Sequence, residues 1–230
     1  DETQLFNLNE LSIFHYTNKP NYRNRIVYAI DKSQAIGDWG ITKNDLDEFF
    51  GNDNRNNQRY NTIFRSSPDI INLAFGVLSS GATLFTSFEN PLDFASSTIT
   101  PSEEKKCLIP SYLLCRDDND IVETAIERAE MYVREKKGKR HKILFCSTTN
   151  ELHQLLCSYA SRNNKGYEVL LSRSDINAVK KAELGGKFVF GEIDYVGGLE
   201  FDMVILLGVD KGRVPTEDEE TQIAQNYVNY

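Results

Sequence analysis

Four short stretches of the chain carry residue types suited to phosphoryl chemistry. Asp1-Glu2-Thr3-Gln4 sets two carboxylates side by side. In metal-assisted phosphoryl transfer one carboxylate orients Mg²⁺ and a neighbour takes the proton of the attacking water. Residues 31–40, DKSQAIGDWG, contain Gln34, which has the reach to hydrogen-bond a γ-phosphate or its water. They also contain Trp39, the single tryptophan, whose flat face suits a nucleic-acid base. Phe64-Arg65-Ser66-Ser67-Pro68 leads into a helical pattern, and an arginine at a helix entrance is well placed to neutralise charge on a transferring phosphoryl group. Gly197-Gly198-Leu199-Glu200-Phe201 precedes the most apolar run of the chain. A glycine pair admits a ligand or backbone closely, and Glu200 can accept a hydrogen bond from a ribose hydroxyl. Each stretch has a plainer alternative: an exposed acidic terminus, a satisfied loop glutamine, a half-buried tryptophan, a surface arginine, a tight turn.

The elements that must position these residues read as two α/β halves. Residues 25–30 form a short β-rich run, and residues 43–50 are helical in pattern. Residues 51–59 are Asn-rich and loop-like. Pro68 suits the first turn of a helix whose buried side is expected to be Ile70, Ile71, Leu73, Ala74 and Val77. Periodicity is weak up to Lys106 and includes Pro91 and Pro101, which puts a linker at residues 96–106 between domains 1–95 and 107–230. In the second half, strands are expected at Tyr112–Cys115, Lys142–Cys146, Tyr167–Leu171, Phe188–Ile193 and Met203–Leu207. Helices are expected from Asn119, as N-cap, to about Lys137 and from Asn150 to Arg162, the latter buried through Leu152, Leu155, Leu156 and Tyr159. Near-continuous apolar strands alternating with helices predict a mostly parallel sheet covered on both faces, with ligands at the carboxyl ends of its strands.

Composition narrows the partners. The 230 residues are 40% apolar and 26% charged, ordinary for a globular protein, with a net charge of −8 and a pI near 5.0. Bulk charge therefore does not suit gripping duplex DNA, although a local groove with a few stacking side chains can still hold a single strand. No apolar run approaches the roughly 20 residues needed to cross a bilayer. The opening residues do not read as a signal peptide, and an acidic start without methionine reads as a fragment. Cys107, Cys115, Cys146 and Cys157 have no CxxC spacing. The His153–Cys157 pair alone makes no usual zinc pattern, and Cys115 and Cys146 read as small core residues of a reducing, cytoplasmic compartment. The basic run Arg134–Lys142 closes a helix, where cations favour the macrodipole and solvent.

Taken in order, these segments resemble the motifs of UvrD/Rep/PcrA-type superfamily 1 DNA helicases: a DExQD Walker B, a DxxQxIYxWRGA loop, an NYRS segment and a TxHxxKGLEFDxV strand approach. Here they stand as DETQ, DKSQAIGDWG, TIFRSSPDIINLA and EIDYVGGLEFDMVILLGVDKGRVP, and ILFCSTTNELHQLL is similar to the family's AVLYRTNAQSRxLE. The resemblance runs along nearly the whole chain. It implies two RecA-like P-loop NTPase lobes, the first incomplete, working with ATP and Mg²⁺ on single-stranded DNA with 3′-to-5′ polarity, in repair or phage defence. It implies that Asp1 holds Mg²⁺ and Glu2 is the general base, while Gln4 and Gln34 sense the γ-phosphate. Phe64 would stack on adenine, Arg65 contact the γ-phosphate, Gly198 and Glu200 line the nucleotide, and Trp39 stack on DNA.

The chain departs from that pattern at several positions. Leu5 stands where the Walker B motif has its second aspartate, and Gly37, Asp38 and Gly40 replace the tyrosine and arginines of the second motif. Asp194 and Gly197 replace the histidine and lysine before GLEF. Most of these losses fall on the DNA side, which keeps open a second expectation: a helicase-like, nucleotide-binding scaffold for a partner nuclease, without unwinding. A nucleotide-binding regulatory ATPase of another P-loop class is a third. No GxxxxGK[ST] loop occurs, so the phosphate cradle and the last arginine-bearing motif are expected outside these residues, and the fragment alone is expected to be inactive.

Overall fold

The computed structural model describes residues 6–17, 27–29, 62–63, 67, 69–70, 72–74, 98–99 and 109–214. The chain divides into two compact units, Asp1–Leu113 and Leu114–Tyr230.

In the first unit, helix α1 (Leu8–Thr17) begins with a reciprocal cap that the reading of the sequence missed. The Glu10 amide donates to Asn7 Oδ1 and the Asn7 amide donates to Glu10 Oε2, each at 2.9 Å, which satisfies two of the amides a helix start leaves unpaired. Leu11 is its buried residue. Strands β1 (Thr62–Ile63) and β2 (Thr98–Ile99) pair in parallel, Thr62 opposite Thr98. Residues 69–70 and 72–74 are helical, and Ser67 Oγ accepts from the Ile70 amide at 3.4 Å, as an N-cap does. The expected buried side is not found at its described positions: Ile70 and Leu73 are exposed.

The second unit holds a four-stranded, wholly parallel sheet in the order β4-β5-β3-β6, and the protein is an α/β protein. The strands are β3 (Ile143–Ser147), β4 (Tyr167–Val169), β5 (Phe188–Glu192) and β6 (Met203–Leu207). Helices α2 (Asp118–Lys136), α3 (Asn150–Arg162) and α4 (Ile176–Gly185) surround it. Each helix opens on a side-chain cap: Asp117 accepts from Asp120 N, Thr149 from Leu152 N and Asp175 from Ala178 N. The cap of α2 is thus Asp117 rather than Asn119. Its far end stops at Lys137, held in the left-handed region at φ 55°, and Gly138 follows because an added Cβ would meet the Tyr132 ring at 2.3 Å.

The strand alternation sorts the core into two layers. Ile143 and Phe145 of β3, Phe188 and Phe190 of β5 and Leu207 pack beneath α2 and α3. Leu144, Cys146 and Val189 point the other way, against Leu170, Ala178 and Ala182 of the β4–α4 stretch and against Leu199 and Phe201. On the α2/α3 side Phe145 meets Phe188 and Phe190 edge-on at 5.4 and 5.0 Å, and Tyr167 stacks on Phe190 at 4.6 Å. Such pairs add about 0.5–1.5 kcal/mol each beyond their burial.

Two expected strands are not found: the described part of the 25–30 run, residues 27–29, forms no ladder and Val27 is exposed, and the run before α2 is likewise unpaired. Residues 112–115 adopt no ladder, and Tyr112, Leu113 and Leu114 are exposed. Strand propensity reflects packing against neighbours on a pleated surface, and no described segment pairs with these residues.

Candidate functional site

At the carboxyl edge of the sheet, neighbouring strands send the chain in opposite directions. After β3 the chain enters α3 on one face; after β5 it passes through a 3₁₀ turn, Ile193–Tyr195, and a loop on the other face. That divergence between adjacent strands is the arrangement that opens a crevice in doubly wound sheets. Its rim is formed by Ser147, Thr148 and Thr149 after β3, by Glu192 and Asp194 after β5, and by Gly208 after β6.

The loops at this edge are stitched together. Thr148 Oγ1 donates to the Gly208 carbonyl at 3.0 Å and the Thr148 amide donates to the Leu207 carbonyl at 3.2 Å. Gly208 has φ +79°, and a Cβ there would sit 2.6 Å from Thr148 Oγ1, so the turn after β6 is reserved for glycine. Arg213 then ion-pairs with Asp118, tying the segment beyond β6 to the start of α2. On the other side, Ser174 Oγ donates to the Gly197 carbonyl at 2.6 Å and the Ser174 amide donates to the Tyr195 carbonyl at 3.3 Å. The loop after β4 is thereby locked to the loop after β5.

Gly198 sits in that lock, exposed, with φ +76°. Glu200 lies elsewhere. The chain runs from Gly198 back across the sheet, Leu199 and Phe201 packing inward against the Leu144–Cys146 layer while Glu200 between them is exposed. Two residues later the Asp202 amide donates to the Lys142 carbonyl at 2.9 Å, at the amino edge where β6 begins. Alternation thus turns Glu200 outward, on the crossing rather than at the carboxyl rim.

Asp1, Glu2, Gln4, Gln34, Trp39, Phe64 and Arg65 lie outside the described residues. Of the nine candidate side chains, the described region contains Gly198 and Glu200 alone.

Groups the sequence reading passed over also gather near the rim. Ser147 is fully buried, and its Oγ has no hydrogen-bond partner among the described residues. His153 is buried, with Nε2 3.7 Å from Cys157 Sγ and Nδ1 unpartnered among the described residues. Burial pulls the His153 pKa below its ordinary value, against a smaller upward pull from Glu192. Cys146 is buried as expected; desolvation, helped by the Asp194 charge, pushes its thiol up to about 11. Such a thiol stays protonated and inert at neutral pH. A hydroxyl at the end of a buried strand, followed by a Thr–Thr cap, is a pattern that could have marked Ser147. His153 was visible only as half of a His–Cys pair.

No group of three or more His, Cys, Asp or Glu arranged to hold a metal occurs among the described residues. No helix there is long and apolar enough to cross a membrane. No protein-family model and no curated protein matches the chain.

Proposed function

We propose that the chain is the motor core of an ATP-dependent DNA helicase or translocase, built from RecA-like lobes, in which Mg·ATP hydrolysis draws a single DNA strand past Trp39. The observation that carries the reading is the ordered set of motifs: acidic pair, Gln34–Trp39 loop, Phe64–Arg65 helix approach and GGLEF. The parallel sheet of the second unit is compatible with a RecA-like lobe. The glycine turn at Gly198, beside the divergence of β3 and β5, is the kind of backbone that admits a phosphate-bearing ligand. In this mechanism Asp1 orients Mg²⁺ and Glu2 accepts the water proton, with Gln4 and Gln34 reading the γ-phosphate. Phe64 stacks on adenine and Arg65 neutralises developing charge, while Glu200, turned outward on the crossing, takes no part in this mechanism.

A second reading rests on Asp194 and Gly197, which stand where the resembled family carries histidine and lysine. These changes favour a nucleotide-binding scaffold for a nuclease that closes on ATP without moving DNA.

The deciding experiment measures Mg²⁺-dependent ATP hydrolysis by the full-length protein that contains these residues, with and without single-stranded DNA. Stimulation by DNA, lost together with oligonucleotide-dependent Trp39 fluorescence quenching in Trp39→Ala, supports the motor. Base stacking on an aromatic contributes about 1–3 kcal/mol, so strand affinity should fall roughly 5- to 150-fold. ATP binding with no DNA response in either signal leaves the scaffold. Absence of any nucleotide binding removes both readings.

A further inference from the structure

The amino edge of the second unit's sheet carries a concentration of positive charge that the motor reading leaves unused. Between Arg134 and Lys142 six of nine residues are Lys or Arg, and Glu135 alone opposes them. The fold adds to this run from distant parts of the sequence. Because the four strands are parallel, the residues that lead into them lie on one edge: Lys142 before β3, Lys165 shortly before β4, Lys187 before β5 and, as the one acidic member, Asp202 before β6. The crossover helix α3 ends at the same edge with Arg162.

Asp202 and Glu183 are exposed at this edge, but two further carboxylates are turned to holding the basic residues in place. Glu130 is mostly buried and is engaged from both sides, by Arg140 at 2.9 Å and Lys165 at 3.0 Å. Glu168 is bound to Lys187 at 2.7 Å, and Arg140 is further fixed over the Phe188 ring at 5.5 Å. By contrast Lys136, Lys137, Lys139, Lys142 and Arg162 make no ion pair among the described residues. The framework of the patch is therefore held rigid by its paired members, while Lys136, Lys137, Lys139 and Arg162 face solvent and Lys142 is half-buried.

We infer that this edge is a docking surface for the phosphate backbone of a nucleic acid, a second contact separate from the loops at the carboxyl edge. The net charge of −8 does not oppose it, since at 0.1 M salt charges more than about 10 Å away are largely screened. A phosphate backbone fits better than an acidic protein. Protein interfaces place aromatic and apolar anchors at their centres and deplete charge there, whereas of the aromatic residues here Phe188 is buried and Tyr132 half-buried, and neither is a prominent exposed anchor. Lysine-rich contact without such anchors supplies affinity and positioning with no base readout. Helix-dipole complementarity accounts for Arg134 and Lys136 in the last turn of α2, but not for Lys139, Lys165 and Lys187, which lie outside any helix.

The inference rests on this edge's own charges and not on the motor reading. Its test titrates the whole chain into a fluorescein-labelled, mixed-sequence oligonucleotide, single-stranded or annealed to its complement, across a salt series. Both probes should bind. Lys137→Glu/Lys139→Glu should weaken both by at least about tenfold, and should flatten the log–log salt slope by about 1.4 for the single strand and about 1.8 for the duplex, two contacts' worth. Lys137→Gln/Lys139→Gln should do so to a lesser degree, and carries the test if the charge reversal lowers the melting temperature. Unchanged affinity and slope in the folded variants overturns the proposal, as does tighter binding of a glutamate-rich peptide than of either oligonucleotide. Trp39→Ala, run in parallel, reports on the motor's strand path: its effect on the single strand should add to that of the lysine pair and leave the duplex untouched.

Discussion

Gly198 is the residue where backbone geometry and proposed chemistry meet. At φ +76°, with a virtual Cβ 2.9 Å from Ser174 Oγ, any side chain meets two penalties at once. Gly198→Ala should cost about 1–2 kcal/mol from the left-handed backbone alone. Ser174→Ala in the same background should recover the steric part but not the conformational part, which a double-mutant cycle by urea denaturation would resolve. Full additivity of the two changes would mean that the loops after β4 and β5 are not locked as described. Glu2 makes the matching chemical prediction. If it is the general base, Glu2→Gln in the full-length protein should lower ATP turnover by at least about 10²-fold while nucleotide binding persists. Normal turnover removes Glu2 from the mechanism.

At the scale of elements, the second unit depends on its caps and on the aromatic seam between β3, β4 and β5. Asp117 accepts the Asp120 amide at 3.0 Å at the head of α2, and Asp117→Ala should cost about 1 kcal/mol. Phe145 is fully buried and touches both Phe188 and Phe190. Phe145→Ala should cost about 3–5 kcal/mol, since removing a ring leaves a cavity that the sheet cannot close. Thermal or urea unfolding would rank the two, and a Phe145→Ala loss under about 1 kcal/mol would contradict a close-packed seam. Helix α4, which the sequence pattern did not mark, shows why a whole element can escape a pattern reading. Its fully buried residues are two alanines, Ala178 and Ala182, with Val179 partly buried beside them, while Ile176 and Leu184 are exposed. Small residues let the helix lie close on the sheet and give a weak hydrophobic period.

At the scale of the whole molecule, two described groups with shifted titration, the His153 imidazole and the Glu130 carboxylate, contribute to the response to pH. His153 is neutral and buried, and desolvation lowers its pKa in the folded state from the ordinary 6.5. The unfolded chain therefore binds a proton that the folded chain refuses. Stability contributed by this group is complete above about pH 6.5 and is lost progressively as pH falls below it. Glu130 acts in the same direction at lower pH. Burial pushes it up, but Arg140 and Lys165 outweigh that and hold it below 4.5, so its contribution disappears as pH falls through the folded value. Urea midpoints followed from neutral pH downward should stay level to about pH 6.5 and then decline, and His153→Gln should remove the first part of the decline. A wild-type midpoint unchanged down to about pH 5 would show that His153 takes up its proton without cost in the folded protein.

Much of the second unit was legible in the sequence because its signals are local. The apolar run Met203–Leu207 and the Thr149-capped pattern Asn150–Arg162 form the strand and helix their periodicities predict. The strand–helix alternation predicts the parallel sheet. The candidate chemistry was legible as ordered motifs, which depend on residue identity and spacing alone. What needed the tertiary structure is whatever depends on partners distant in sequence. The Tyr112–Cys115 run has the composition of a strand but no described segment to pair with, so its backbone forms no ladder. Glu200 is turned outward on the crossing because its neighbours Leu199 and Phe201 find the Leu144–Cys146 layer, a choice set by packing. The basic run at 134–142, in sequence an ordinary helix end, becomes one edge of a larger positive surface only when parallel strands bring Lys165 and Lys187 to the same side. Hydrophobic period and capping act over a few residues, whereas strand pairing and the summing of charge act between residues tens of positions apart, and only the folded chain brings those together.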